Sequence, residues 1–514
     1  MSLSTLLNYL EHSVVYVLVT LGVFLLYLRK QFKHAHPLPP GPPRLPIIGN
    51  FRDMPTKSEW LTYREWAKQY GDIIHVSIFA QSMIIINSYE KAFDLFERRS
   101  SNYSDRPNHV MMNDLWWRRH RKLFHQKFNV NAVQEYRPLQ TEVTHDLLRR
   151  LLKNPPDFVA HLRYTAGALI LRVAYGISIA PENDPNINTA EEALKALSAT
   201  GRAGAYLVDT LPICKITSSP LLADRVKTQC DTFREWRKYV SSMKESPFAA
   251  VKKSMESGIL NSGFAPSQLH TLEDKKRFTL EEEEIIKNTA ASIYVAGTDT
   301  TVSAMSTFVL AMTLHPDIQR RAQQTIDLLL GGERLPEYSD RPYLPYIDAI
   351  LKETIRWQSV LPLAVPHVSI NDDVYDGYRI PAGSIVVGNA WSMLHNEKIY
   401  PNAFEFNPSR FLKTDGTGKL MINPDIPDPA LVAFGFGRRV CAGQHFADES
   451  VWIAIVSVLS VYDVSKAVDD SGQEIIPAVE YTTGLLSFPE PFKCKITPRS
   501  PAAECLIRAT TSDR

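Results

Sequence analysis

The sequence predicts a mainly α fold with small β-sheets, preceded by an N-terminal transmembrane helix. Three observations carry that prediction. Long helical patterns dominate the second half of the chain, its strand-like runs are short and bounded by turn residues, and one uncharged apolar run stands near the N-terminus. With 514 residues, 44% of them hydrophobic and 22% charged, the chain can bury a large core. No Gly/Ser-rich linker or break in composition divides its middle, so one large domain is expected. The polar stretch 256–277 reads as its main internal loop.

From the N-terminus, residues 13–28 (SVVYVLVTLGVFLLYL) form an uncharged run of 16 residues, at the short end of what spans a bilayer. Arg29, Lys30 and Lys33 follow it, while Glu11 is the only charged side chain before it. That asymmetry places the bulk of the chain in the cytosol. The alternative, a cleaved signal peptide, lacks a basic leading region and a small-residue cleavage site. The next stretch, HPLPPGPPRLPIIGN, is a stiff spacer, because each proline fixes its own backbone. The expected division is an anchor with its basic flank at 1–36, a proline-rich hinge at 37–50, one main domain at 51–498 and a tail at 499–514.

A long helix is expected from Thr279, with Thr279 and Glu282 spaced as a capping box and Glu281 to Glu284 as a solvated first turn. Pro316 ends it and opens the next helix, which runs to Gly331 and Gly332. YIDAILKETIRWQS reads as a further helix. DDVYDGYRIPAGSIVVGNAW reads as a hairpin with turns at Asp376–Gly377 and Pro381–Gly383.

Charge and cysteine content narrow the function. A net charge of +1, from 57 basic and 56 acidic side chains, gives no electrostatic reason to expect nucleic acid as a partner. The five cysteines are sparse and lack CxxC spacing, so neither a disulfide scaffold nor a cysteine-rich zinc site is expected, and a reducing compartment suits them. One of them, Cys441, lies in AFGFGRRVCAGQHFADES among glycines and arginines. A helix opens just after it, and Arg438 and Arg439 precede it; both features favour thiolate over thiol and suit a metallocofactor. A cysteine that merely packs is the bland alternative. A zinc site shared with His445 is a third, though no partner pair supplies its other ligands.

Phe434, Gly437, Arg439, Cys441 and Gly443 reproduce the haem-binding signature of the cytochrome P-450 family, which the whole chain resembles. Further family motifs stand in order. AGTDTT (296–301) is similar to the oxygen-activation motif of the family's distal helix, Glu353 and Arg356 to its E-x-x-R pair, FNPSRF with Arg410 to its P-x-R-F element, and WRRHR (117–121) to the W-x-x-x-R of its C helix. The anchor and hinge resemble its microsomal, eukaryotic branch, and WWRRHRKLFHQKF, NTAAS with GTDTTVSAM, and YTTG look like fungal (basidiomycete-like) secondary-metabolite monooxygenases.

The resemblance implies a cytochrome P-450 fold and a monooxygenase carrying heme b, with Cys441 as the axial thiolate that favours O–O cleavage. Phe434 would shield the sulfur, Gly443 would let the helix approach the porphyrin, and Arg439, Trp117, Arg121 and His367 would serve the propionates. Asp299 and Thr300 would supply protons during dioxygen activation, with the Thr300 hydroxyl returned to the carbonyl four residues earlier and with Ala296 and Gly297 leaving room above the iron. Glu353, Arg356 and Arg410 would form a buried triad that fixes the cysteine loop. Electrons would come from NADPH through the membrane-bound NADPH–cytochrome P-450 reductase, docking near Arg118, Lys122 and Arg438, at the endoplasmic reticulum membrane.

Two departures accompany the resemblance. Ser409 stands where many relatives carry Glu. The chain also passes straight from Leu115 into Trp116, where fungal relatives carry a longer aromatic- and glycine-bearing segment, and this keeps a catalytically impaired haem-binding protein in view. The stretches expected to line the pocket are 201–211, 293–300 with Ala296, 361–365 with Leu361, Leu363, Ala364 and Val365, and 482–486 with Gly484 and Leu485. They are mainly apolar, which favours a hydrophobic small molecule of terpenoid type, with an indole or tryptamine-type metabolite as the alternative. Two further readings stay beside these: a cofactor-free membrane-anchored interaction protein, and reductase-independent isomerase or dehydratase chemistry, against which the intact Asp299–Thr300 pair stands.

Overall fold

The computed structural model describes residues 16–24, 36–107, 117–180, 184–200, 223–259, 262–274 and 279–511. The expected pocket stretch 201–211, the Leu115–Trp116 join and the basic flank Arg29, Lys30 and Lys33 lie outside the described residues, as do the side chains of Trp117 and Arg118. Within the apolar N-terminal run residues 16–24 are helical. Among the described residues no helix is long and apolar enough to cross a membrane.

Helices make the frame: α1 (Glu59–Tyr70), α2 (Trp117–Phe128), α3 (Arg137–Lys153), α4 (Phe158–Tyr175), α5 (Pro185–Thr200), α6 (Ala223–Glu256), α7 (Phe264–Asp274), α8 (Leu280–Leu314), α9 (Pro316–Leu330), α10 (Pro345–Trp357) and α11 (Gln444–Val461). The sheets are small. One four-stranded sheet runs in the order β1-β2-β6-β3, from β1 (Ile73–Ile78), β2 (Gln81–Ile86), β3 (His367–Val368) and β6 (Ile385–Gly388). The mainly helical class is as the sequence predicts.

The core forms where α3, α4, α8 and α11 meet. Every residue of α8 from Val302 to Thr313 is buried, and Leu148, Phe308, Trp452 and Leu459 are wholly enclosed around it. A helix apolar on all sides can only be a buried one, which explains why the pattern beyond Thr300 shows no polar face. Its start is pinned by Thr279, whose hydroxyl accepts from the Glu282 amide at 3.2 Å. Only that half of the expected capping box forms, because the Glu282 carboxylate turns to Arg119 of α2.

Three expectations are corrected. The acidic first turn of α8 is not simply solvated: Glu281 and Glu282 pair with Arg119, Glu283 with Lys252 at 2.7 Å, and Glu284 with Lys244 and Lys287. The polar stretch 256–277 contains a helix, α7, which buries Phe264, Ala265 and Leu269 against α4 and α8. Its apolar face is only a few residues wide, too little to register against the polar residues around it. The predicted hairpin is only half right. β4 (Asp373–Tyr375) and β5 (Tyr378–Ile380) pair through a turn with Asp376 at φ 54° and Gly377 at φ 80°, positive angles that a two-residue hairpin turn requires. The Pro381–Gly383 turn instead sends β6 into the other sheet, parallel to β2 and antiparallel to β3.

Candidate active site

The cysteine loop is built by its backbone. Gly435 and Gly437 take φ of 77° and 56°, and a Cβ on Gly437 would lie 2.0 Å from the Phe96 carbonyl oxygen, so only glycine fits there. The chain then folds back: the Cys441 amide donates to the Phe434 carbonyl at 2.8 Å, and α11 begins three residues later. Phe434 and Gly437 thus shape the loop, and the Gly443 amide donates to the Cys441 sulfur.

Cys441 itself is open to the site, yet the protein atoms packed around it push its thiol up. The Gly443 amide and the Arg121 cation work against that. Those two neighbours stabilise the charged form against its desolvation. Coordination to a metal deprotonates such a thiol outright. Arg438 is exposed, while the Arg439 Nε donates to the Ser104 carbonyl at 2.8 Å. The cation that acts on the sulfur is Arg121, which also donates to the Val440 carbonyl.

Arg439, His367 and one residue that the sequence did not disclose gather beside this loop. Arg106 donates to the carbonyls of Val365 and Pro366. Burial first, then the neighbouring Arg439, lower its pKa to about 9. His367 is buried, stacked on Phe96 with ring centroids 4.3 Å apart, and its Nδ1 bonds the Tyr103 carbonyl at 2.6 Å. Burial first, then Arg106 and Arg439, hold it down to about 3, so its ring is neutral as placed. Arg106 and Arg121 have carbonyl partners and no carboxylate among the described residues. Buried cations without a counter-charge are costly, and an anionic ligand carrying carboxylates would supply that charge. These residues fit haem.

The opposite wall is α8. Ile293, Tyr294, Thr298 and Val302 are buried, but Ala296 is exposed and Thr300 half-exposed, so the helix borders an opening on that face. The Thr300 hydroxyl donates to the Ala296 carbonyl at 2.7 Å, as its type and spacing predict. Gly297 serves a different purpose from the expected one: its Cβ would lie 2.4 Å from the Ile170 side chain, so its smallness permits close packing of α8 on α4. Asp299 is partly buried. Its electrostatic neighbours are Arg163 of α4 and Glu191 and Lys195 of α5, and burial, opposed by Arg163, raises its carboxyl to about 6. α2 joins the two walls, packing on α8 while Phe124 abuts Gly443.

Residues that flank two of the other expected pocket segments are tied to α8. The Ser487 amide donates to the Val360 carbonyl at 3.0 Å, and the Ser303 hydroxyl of α8 donates to the Ser487 carbonyl. Leu361, Leu363, Ala364, Val365, Gly484 and Leu485 are all partly exposed there. The triad forms as well. Arg356 meets Glu353 at 2.6 Å with both side chains 0% exposed, and Arg410 meets Glu353 at 3.2 Å. Its reach to the cysteine loop is indirect: Arg356 donates to the carbonyls of Leu394 and Ala403 and lies over Tyr400, whose hydroxyl bonds the Pro427 carbonyl. Ser409 accepts from Arg321 at 3.0 Å, so that departure is accommodated. Around Cys441 and His445 the described residues hold no cluster of metal-ligating side chains.

A family model described as Cytochrome P-450 matches residues 39–496. A cytochrome P-450 monooxygenase of Postia placenta is 40% identical, with 98% of each chain covered. One of Armillaria gallica is also 40% identical, over 96% of this chain and 98% of its own. One of Rhodocybe pseudopiperita is 40% identical over 94% of each.

Proposed function

Because the chain belongs to the cytochrome P-450 family, a family of haem-thiolate monooxygenases fed with electrons from NADPH through a reductase, we propose that it inserts one oxygen atom into a hydrophobic small molecule, a terpenoid-like secondary metabolite. The observation that carries this is the partly exposed apolar character of residues 361–365 and 484–485, whose neighbours Val360 and Ser487 are tied to each other and to Ser303 of α8. No carboxylate stands in those segments to anchor an amine, and the Asp299 carboxyl lies in the field of the cations Arg163 and Lys195.

Cys441 would hold the iron, and Arg106, Arg121 and Arg439 would hold the carboxylates. Bound there, haem would supply dioxygen activation, which thiolate ligation by Cys441 would promote. The chain's own residues do the rest. Leu361, Leu363, Val365 and Leu485 exclude water and orient an apolar skeleton. The Thr300 Oγ1 keeps its proton on the Ala296 carbonyl and presents its lone pairs to the opening. Asp299, with a pKa near working pH, can take a proton from solvent and release it inward.

The expected partner is the NADPH–cytochrome P-450 reductase, with exposed Lys122 and Arg438 on the face nearest the cysteine loop. The apolar run and its basic flank would hold the chain in the endoplasmic reticulum membrane. The test is turnover of a panel of terpenes, indoles and tryptamine by membranes carrying the chain and its reductase. NADPH-dependent hydroxylation of a terpene supports the reading; turnover of tryptamine alone would replace the substrate class.

A further inference from the structure

α3, α4, α8 and α11 enclose a cavity of about 30 Å³, at least twice the roughly 10–15 Å³ that one water requires. It is lined by Thr301 rather than Thr300, and most of its wall is Leu, Val, Ala and Met. Five lining side chains are polar, and four have spent their donors. Thr165 donates to the His161 carbonyl at 2.8 Å, Thr301 to that of Gly297 at 3.0 Å, and Ser450 to that of Phe446 at 2.7 Å. The Gln140 amide donates to the Ser450 hydroxyl at 2.8 Å, and its carbonyl accepts from Tyr338.

The fifth, Thr144, is different. It is 3% exposed, it lines the cavity, and its hydroxyl has no hydrogen-bond partner among the described residues. Most helical threonines of this chain return the hydroxyl to the carbonyl four residues back, as Thr298, Thr313 and Thr354 do; Thr144 does not. The hydroxyl oxygen is not among the fully enclosed unpartnered polar atoms, so the cavity leaves it within reach of a small molecule, and protein interiors satisfy such groups with ordered water.

We propose that this cavity is a hydration site, built to hold a water that Thr144 donates to and that donates in turn to the lone pairs of Thr165 and Thr301. The bookkeeping of donors fits one water: one proton received from Thr144, two given to oxygens whose own protons are already committed. The bound water ties α3 and α4 to α8 on the side of that helix away from Ala296, next to the residue that follows Thr300. The site does not depend on the haem reading.

The test is a high-resolution crystal structure of the haem-loaded chain, of its Thr144→Ser and Thr144→Val variants, and of the unmodified protein under xenon. The expected result is water density within hydrogen-bond distance of the residue 144 hydroxyl in the unmodified and Ser proteins, its loss in the Val protein, and no xenon in the unmodified cavity. The inference is overturned if the unmodified cavity takes up xenon, if Thr144 bonds the Gln140 carbonyl with no water beside it, or if the water persists unchanged in the Val protein.

Discussion

Replacing Asp299 by Asn should make the protein more stable and less active at neutral pH. Burial lifts the Asp299 carboxyl from an ordinary 3.8 to about 6, with Arg163 and Lys195 only partly offsetting it. At about 1.36 kcal/mol per pKa unit, that rise corresponds to about 3 kcal/mol against the folded state once the group is ionised. Residual solvent at the side chain would reduce the figure to about half. The sign follows from proton binding. Between pH 3.8 and about 6 the folded chain holds a proton that the unfolded chain has lost, so stability falls as pH rises through that window. Asn carries no such dependence. Denaturant unfolding of both haem-loaded proteins from pH 4 to 8 should therefore give a stability difference near zero at the acid end, growing in favour of Asn to a plateau above pH 6. NADPH-driven turnover of the variant should fall while haem content stays. A stability difference independent of pH, or a variant that turns over normally, would refute the reasoning.

Other perturbations follow from the same geometry. Arg356→Ala leaves the fully buried Glu353 carboxylate with Arg410 as its one remaining cation, at a cost of up to about 3–5 kcal/mol, and should be seen as a sharp loss of haem-loaded protein on expression. Gly437→Ala must adopt φ 56° and drive a Cβ into the Phe96 carbonyl; the backbone angle alone costs about 1–3 kcal/mol, and haem retention on gel filtration should drop. Arg106→Gln removes a buried cation beside Arg439 and should speed haem transfer to an apo-globin acceptor, leaving the axial ligand unchanged.

The parts of the site that were legible in the sequence are those set by local spacing. Glu353 and Arg356 share a helix face because they are three residues apart, Thr300 bonds Ala296 because it is four away, and the glycines around Cys441 announce a loop of unusual backbone angles. What the sequence concealed depends on contacts between distant segments. Arg106 stands in no motif, and its meaning appears only when the fold brings it to Arg439. Gly297 looks like room for a ligand until Ile170 of α4 is seen packed against it. The acidic start of α8 has partners on α2 and α6 that no periodicity reveals.

The central claim is that Cys441 ligates haem iron as a thiolate. The most direct measurement is a reduced carbon-monoxide difference spectrum on membranes carrying the full chain, beside the Cys441→Ser variant. The red-shifted Soret band of a thiolate-ligated haem is predicted for the unmodified chain and should be lost in the variant. The same band in both proteins, or a well-folded unmodified chain that takes up no haem, would contradict it.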